Sequence, residues 1–226
     1  MNASNHGLLN LSGFIIDSVG PVTSLLMILS PQLRLETIDG ADAVIIFWTR
    51  LVANALHYDP ITFERLRSFV NTLTAAGFAF SGRFPEHPSG QIRPPQDIPW
   101  IMRDFAAYWA RFDPTFSLLG LQDQTEFSAH TSGGDADQFA VLARKACHER
   151  KFFFTEQTSM GLCPRNTKPG DRVVVLYGGS VPYILRPTGQ DSWTFVGECY
   201  VDGMMFGETR DLKENLDTQD QVFHIR

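Results

Sequence analysis

Residues 170–187 read GDRVVVLYGGSVPYILRP, and the reading of this stretch decides the fold. Gly170-Asp171 and Gly178-Gly179 are turn signals, because glycine reaches the positive φ angles that tight turns demand. The run between them is β-branched and too short for a helix, and Pro182 suits the start of the next strand. Two short strands around a glycine turn are therefore expected. The same pattern repeats outward. KFFFTEQ (151–157), RVVVLYG (172–178), PYILRP (182–187), WTFVGECYV (193–201) and QVFHIR (221–226) are five such segments, punctuated by Gly, Pro, Asn and Asp. Near the N-terminus, LNLSGFIIDSV (9–19) adds a sixth, closed by Gly20-Pro21.

Between the first strand and the rest the apolar period changes. Val44, Phe47, Trp48, Leu51, Val52 and Ala55 recur at helical spacing. Asp59-Pro60 reads as a cap and N1 proline for a second helix, with Phe63, Leu66, Val70 and Leu73 on one face and Gly77 as its stop. A third begins near Asp97, carries Ile98, Ile101, Met102, Phe105, Trp109 and Phe112 as its stripe, and closes at Asp113-Pro114. Asp135 caps a fourth that runs through Leu142 to Cys147. Residues 81–97 hold four prolines and no period, as a lid or other functional loop would. The expected fold class is α+β, a single domain over 1–226. A small, mostly antiparallel β-barrel of about six strands (9–19 and 151–226) would carry a helical insertion at 40–148.

Composition narrows the function. Hydrophobic residues are 43% and charged residues 19%, as in an ordinary folded domain. A net charge of −6 without a Lys/Arg cluster argues against a nucleic-acid surface. The apolar run SLLMIL is cut by Pro21 and Pro31, too short to span a bilayer. The three cysteines make no metal-type spacing and no even disulfide set, so free thiols in a reducing, cytoplasmic setting are expected.

The segments FFFTEQTSMGLCP (152–164), GDRVVVLYGGSVPYILRP and FVGECYVDGMMFGE (195–208) together resemble the C-terminal tail of fungal heterokaryon-incompatibility (HET) domain proteins. LSGFIIDSV and FWTRLVANA (47–55) resemble that family's upstream strand and helix. Three positions depart from the family pattern: Cys163 replaces a glycine, Asp202 a histidine and Phe206 an acidic residue. The resemblance implies a stand-alone tail barrel without the HET domain. It names no activity.

No nucleophile elbow, phosphate loop, dinucleotide fingerprint or zinc motif is present, and the six histidines lack ligand spacing. No cofactor and no metal are therefore expected. In WTFVGECYVDG, strict alternation places Glu198, Tyr200 and Asp202 on one side of a strand. That side is either a polar solvent face or a cavity wall where a carboxylate beside a phenol polarises a carbonyl. Tyr183 and Arg186 on the neighbouring strand would complete the group, and Trp48, Trp100 and Trp109 either pack the helices or wall an apolar pocket. Two functions fit. One is an enzyme of fungal specialised metabolism that guides a cofactor-free cyclisation, such as an intramolecular Diels–Alder reaction, of an apolar terpenoid- or polyketide-like substrate. Glu198, Tyr200 and Asp202 would be its catalytic groups. The other is a non-catalytic regulatory or partner-binding module.

Overall fold

The computed structural model describes residues 9–23, 44, 47–49, 62–76, 99–121, 127, 133–189, 191–205, 207–209, 213–214 and 218–226. The chain packs as two compact units, one from Met1–Thr23 with Glu149–Arg226 and the other from Ser24–His148. The first is built of strands and the second of helices, a mixed α+β architecture.

The strand unit holds β1 (Leu9–Thr23), β2 (Arg150–Thr155), β3 (Met160–Pro164), β4 (Arg172–Leu176), β5 (Tyr183–Pro187), β6 (Ser192–Glu198), β7 (Tyr200–Val201) and β8 (Gln221–Ile225). Eight strands are thus described where about six were expected. The first addition is β3, whose Met-Gly-Leu-Cys-Pro composition carries no β signal of its own. The second arises because the run read as one strand breaks at Cys199 into β6 and β7. Their order is β4-β5-β6-β8-β1-β2-β3-β7, and a further pairing joins β4 to β1. Strands β1, β4, β5, β6 and β8 therefore form a closed circuit of neighbours. All pairings are antiparallel except β6 with β8.

β1 closes the circuit by serving three partners in turn. Residues 9–13 pair with β8, 13–18 with β4 and 19–23 with β2. It bends to do so at two irregularities, between Ile15 and Asp17 and between Val19 and Val22. The turn expected at Gly20-Pro21 is the second of these. The strand runs on to Thr23, because Pro21 sits where the register skips and needs no ladder N–H.

Side chains from all five strands of the circuit meet in one buried cluster: Val174, Leu176, Leu185, Phe223 and Ile225, with Leu11, Ile15, Tyr183 and Trp193 packed against it. A second cluster gathers Phe14, Ile16, Val19, Phe153, Cys163, Val173, Ile184, Cys199, Val201 and Met204. Alternate residues of β4 thus feed different cores, so a strand buried on both sides reads as the unbroken apolar run RVVVL.

The helical unit has α1 (Phe63–Thr74), α2 (Pro99–Ala110) and α3 (Ala136–Cys147). Thr62 caps α1 by accepting the Arg65 N–H, while Asp59-Pro60 and Gly77 lie outside the described residues, as does the 81–97 loop. Asp135 caps α3 as expected, its carboxylate taking the Asp137 and Gln138 N–H groups at 3.0 Å each. The aromatic excess is core here. Phe105 packs against Trp109 (5.5 Å between centroids), Phe139 (5.1 Å) and Phe127 (6.0 Å). Phe112, expected in that stripe, is 38% exposed because α2 has already ended at Ala110.

Asp113 organises the turn that follows α2. Its buried carboxylate accepts the Leu118 N–H (2.8 Å), the Trp109 indole (3.1 Å) and the Thr115 and Ser117 hydroxyls (2.9 and 3.2 Å). Burial alone would raise this carboxyl, but the four donors outweigh it and hold it below the ordinary 3.8. A lowered carboxyl stabilises the fold above its unfolded value and loses that contribution as pH falls through its folded value. Asp113→Asn should thus cost about 1–2 kcal/mol at pH 7, and the gap should close below pH about 3.8. Urea denaturation at pH 7 and pH 3 checks this; an equal gap at both would refute it.

Candidate functional site

The end of β6 is where sequence reasoning places the chemistry, and a bulge decides what happens there. Ile184 pairs with Gly197 but Leu185 pairs with Phe195, so Val196 is an extra residue on β6. Gly197 absorbs the distortion at φ +146, and a Cβ there would lie 2.8 Å from Cγ of Pro164. One inserted residue exchanges the two faces of everything beyond it. Val196 consequently joins the same core as Cys199 and Val201, which strict alternation assigns to the opposite side.

Because the run breaks at Cys199, Glu198 ends β6 while Tyr200 opens β7 against β3, and Glu198, Tyr200 and Asp202 do not line one face of one strand. Glu198 is exposed at the end of β6, where its backbone carbonyl accepts from Arg150 at 3.0 Å. Tyr200 lies in β7, 1% exposed, and its hydroxyl donates to Oδ1 of half-buried Asp202 at 3.0 Å. Burial pushes this phenol well above its usual range, and the Asp202 charge and hydrogen bond push it further. Tyr200 is thus a neutral phenol that keeps its proton and shares it with Asp202 only as a hydrogen bond.

Arg186 and Asp171 turn out to be one feature. The guanidinium Nε and a terminal nitrogen lie 2.8 Å from the two Asp171 oxygens, and the guanidinium also donates to the Asn166 carbonyl at 2.7 Å. Asp171 also accepts the Lys168 N–H at 2.9 Å. The fork raises the Arg186 pKa further. The GD at one end of the opening stretch and the LRP at its other end are thus tied to each other. Tyr183 stands opposite Glu198 in the β5–β6 register, half-buried, with its ring 5.6 Å from that of Phe195.

The tryptophans belong to the helical unit. Trp48 and Trp109 are fully buried; the Trp48 indole donates to the Leu119 carbonyl and the Trp109 indole to Asp113, both at 3.1 Å. Trp100 is half-buried. The structure thus brings together Tyr200 with Asp202 and Tyr183 with Glu198, and it engages Arg186 with Asp171. The Trp48 and Trp109 indoles bond within the helical unit.

Sequence reasoning missed a surface cluster. Lys213 donates to Asp220 (2.6 Å) and to the Tyr177 hydroxyl (2.9 Å), and its ammonium stands 5.3 Å from the Phe14 ring centroid. Lys213 and Asp220 both precede β8 in a stretch with several other charged residues, and nothing in that stretch names Tyr177 as their partner. Among the described residues no group of three or more His, Cys, Asp or Glu could hold a metal ion, and no helix is long and apolar enough to cross a membrane.

A model of the Het-6 beta-barrel domain matches residues 98–219, more than half of the 226-residue chain. The chain belongs to the Het-6 beta-barrel domain family. It is also 40% identical over 68 residues to heterokaryon incompatibility protein 6, OR allele, of Neurospora crassa. That alignment covers 29% of this chain and 10% of the relative, so the chain spans only about a tenth of that protein's length. No solved structure gives a significant match. In this Het-6 barrel chain the signature residues Asp171, Arg186, Gly197 and Tyr200 all bond or fit within the strand unit.

Proposed function

We propose that this chain is a non-catalytic, partner-binding member of the heterokaryon-incompatibility group, with the closed five-strand circuit serving as a barrel that carries the binding surface. The observation behind this reading is the fate of the signature's polar groups. Arg186 is engaged by Asp171 and Tyr200 by Asp202, so they tie strands and turns together. Acid–base catalysis asks instead for groups free to reach a substrate atom. Meanwhile Leu9, Tyr177, Phe195 and Val222 are each 44% exposed or more, apolar area of the kind that partner surfaces use. The partner this favours is a full-length heterokaryon-incompatibility protein of the same host. Titration calorimetry at about 10 µM should detect saturable binding that Phe195→Ser and Tyr177→Ser weaken about tenfold or more. Absence of heat and of co-elution at that concentration would reject the reading.

A second reading has one observation in its favour. Tyr200 is a phenol held neutral beside a half-buried carboxylate, a donor suited to a substrate carbonyl. On this reading the chain guides a cofactor-independent cyclisation of an apolar terpenoid- or polyketide-like molecule, such as an intramolecular Diels–Alder reaction. Glu198, Tyr200 and Asp202 would act on the substrate, while Tyr183 and Arg186 would bind it. Deleting the gene and profiling metabolites separates the two: an accumulating uncyclised precursor supports the enzyme, and an unchanged profile with altered cell fusion supports the partner module. Tyr200→Phe should then slow turnover about a hundredfold for an enzyme, while costing only about 1 kcal/mol of stability on either reading.

A further inference from the structure

β7 is two residues long, and its register with β3 is fixed: Gly161 faces Val201 and Leu162 faces Tyr200. One step further along the same register, Cys163 stands opposite Cys199. The type of pair follows from the neighbouring hydrogen bonds. The Asp202 N–H donates to the Met160 carbonyl at 3.0 Å, which makes that a hydrogen-bonded pair. Pairs alternate along an antiparallel ladder, so Cys163 and Cys199, three steps on, form a non-hydrogen-bonded pair. In agreement, the Cys199 N–H turns away from β3 to the Pro182 carbonyl at 3.0 Å. Opposite residues in such a pair have Cα atoms about 4.5 Å apart and side chains on one face, within the span a disulfide bridges. Both thiols are fully buried in one core cluster.

A second observation singles out the same place. Thr167 is 1% exposed, and its hydroxyl oxygen is the buried side-chain atom that finds no hydrogen-bond partner among the described residues. It faces the Cys163 thiol. The Thr167 hydroxyl lies close enough to lower the Cys163 thiol against the larger effect of burial, so it is the donor that a sulfur more polar than a thiol would use.

We propose that Cys163 and Cys199 are an oxidisable dithiol, a modification site at which a disulfide staples β7 onto β3. With hydrogen peroxide as oxidant, one thiolate attacks a peroxide oxygen, giving a sulfenic acid and releasing hydroxide that becomes water. The second thiol then attacks the sulfenic sulfur, the S–S bond forms and a second water leaves. Two thiols and one peroxide thus yield one disulfide and two waters. Burial raises Cys163 to about 11 and pushes Cys199 well above its ordinary value, so few thiolates exist in the closed form. Oxidation accordingly proceeds through local opening of the short β7 pairing.

The test uses the whole chain, exposed to peroxide and then mapped without reduction by mass spectrometry. The expected product is a cross-linked peptide pair containing Cys163 and Cys199. Cys147, which donates to the Leu73 carbonyl at 3.4 Å in the helical unit, should remain a thiol that is alkylated once the chain is denatured. The oxidised chain should melt about 5–10 °C higher than the reduced one, as expected for a loop of this length. Cys163→Ala and Cys199→Ala should each abolish both the peptide and the shift, and Cys147→Ala neither. Oxidation that yields only intermolecular disulfides, a Cys147 cross-link or over-oxidised single cysteines overturns the proposal. The wild-type peptide map decides the matter even where a variant fails to fold.

Discussion

Replacing Gly13 by alanine should open the strand circuit and cost at least about 3 kcal/mol of stability. Gly13 is the residue at which β1 passes from one partner to the other, facing Gln221 of β8 and Leu176 of β4 at once. A Cβ built there would sit 2.0 Å from the Val175 carbonyl oxygen and 3.0 Å from Cα of Leu176. Both obstacles are backbone, so no rotamer change relieves them, and β1 and β4 must part. That separation breaks the pairing which turns an open sheet into a closed circuit. Gly178 is the informative control. It has a φ of +87 but nothing within 4 Å of its Cβ position, so Gly178→Ala should cost only about 1 kcal/mol of backbone strain. Urea denaturation of the two variants, with hydrogen exchange on β4 and β8 amides, reads the difference. Equal losses would mean that close packing at Gly13 plays no special part.

Gly13 also shows what kind of information the sequence carries. Its place within LSGFIID marks a strand, yet nothing local shows that two other strands meet there. Strand positions were legible wherever β-branched residues cluster, as in RVVVL and YILR. They were illegible where a strand is defined by its neighbours, as in Met160–Pro164, which holds a glycine and a proline yet pairs with β2 along its whole length. The helix caps follow the same logic. Asp135 was readable because its carboxylate acts on residues two and three places away. Thr62 was overshadowed by the stronger Asp59-Pro60 signal upstream.

The candidate site was half legible for a related reason. Tyr200 and Asp202 are two residues apart, and the pair survives in the structure as a hydrogen bond. Glu198 parts from them because the strand breaks at Cys199, where the chain leaves β5 for β3, and such a break is a feature that alternation cannot see. Arg186 was read as a potential ligand group, but its partner lies 15 residues away across a strand pair. Residue type correctly marked a strong hydrogen-bonding cation; only the pairing reveals what it holds.

That partnership supports the last prediction. Asp171 is 3% exposed and Arg186 28% by side chain, so the pair is buried at its acidic end and reaches solvent at its basic end. Arg186→Ala leaves a buried carboxylate with the Lys168 N–H as its remaining donor, at a cost of about 3–5 kcal/mol. Asp171→Ala leaves a guanidinium that water can reach, so its cost should be smaller, about 2 kcal/mol. The double variant should cost less than the sum of the two, with a coupling of about 2 kcal/mol. Arg186→Lys keeps the charge but loses the two-pronged geometry, and should fall between wild type and Arg186→Ala. Chemical denaturation of the four proteins at neutral pH measures all of this. Were Arg186 a substrate ligand and not a strand tie, Arg186→Ala would cost under about 1 kcal/mol and the cycle would show no coupling. The two bonds at 2.8 Å argue for the larger loss, because they are the two-pronged partner that a buried carboxylate would lose.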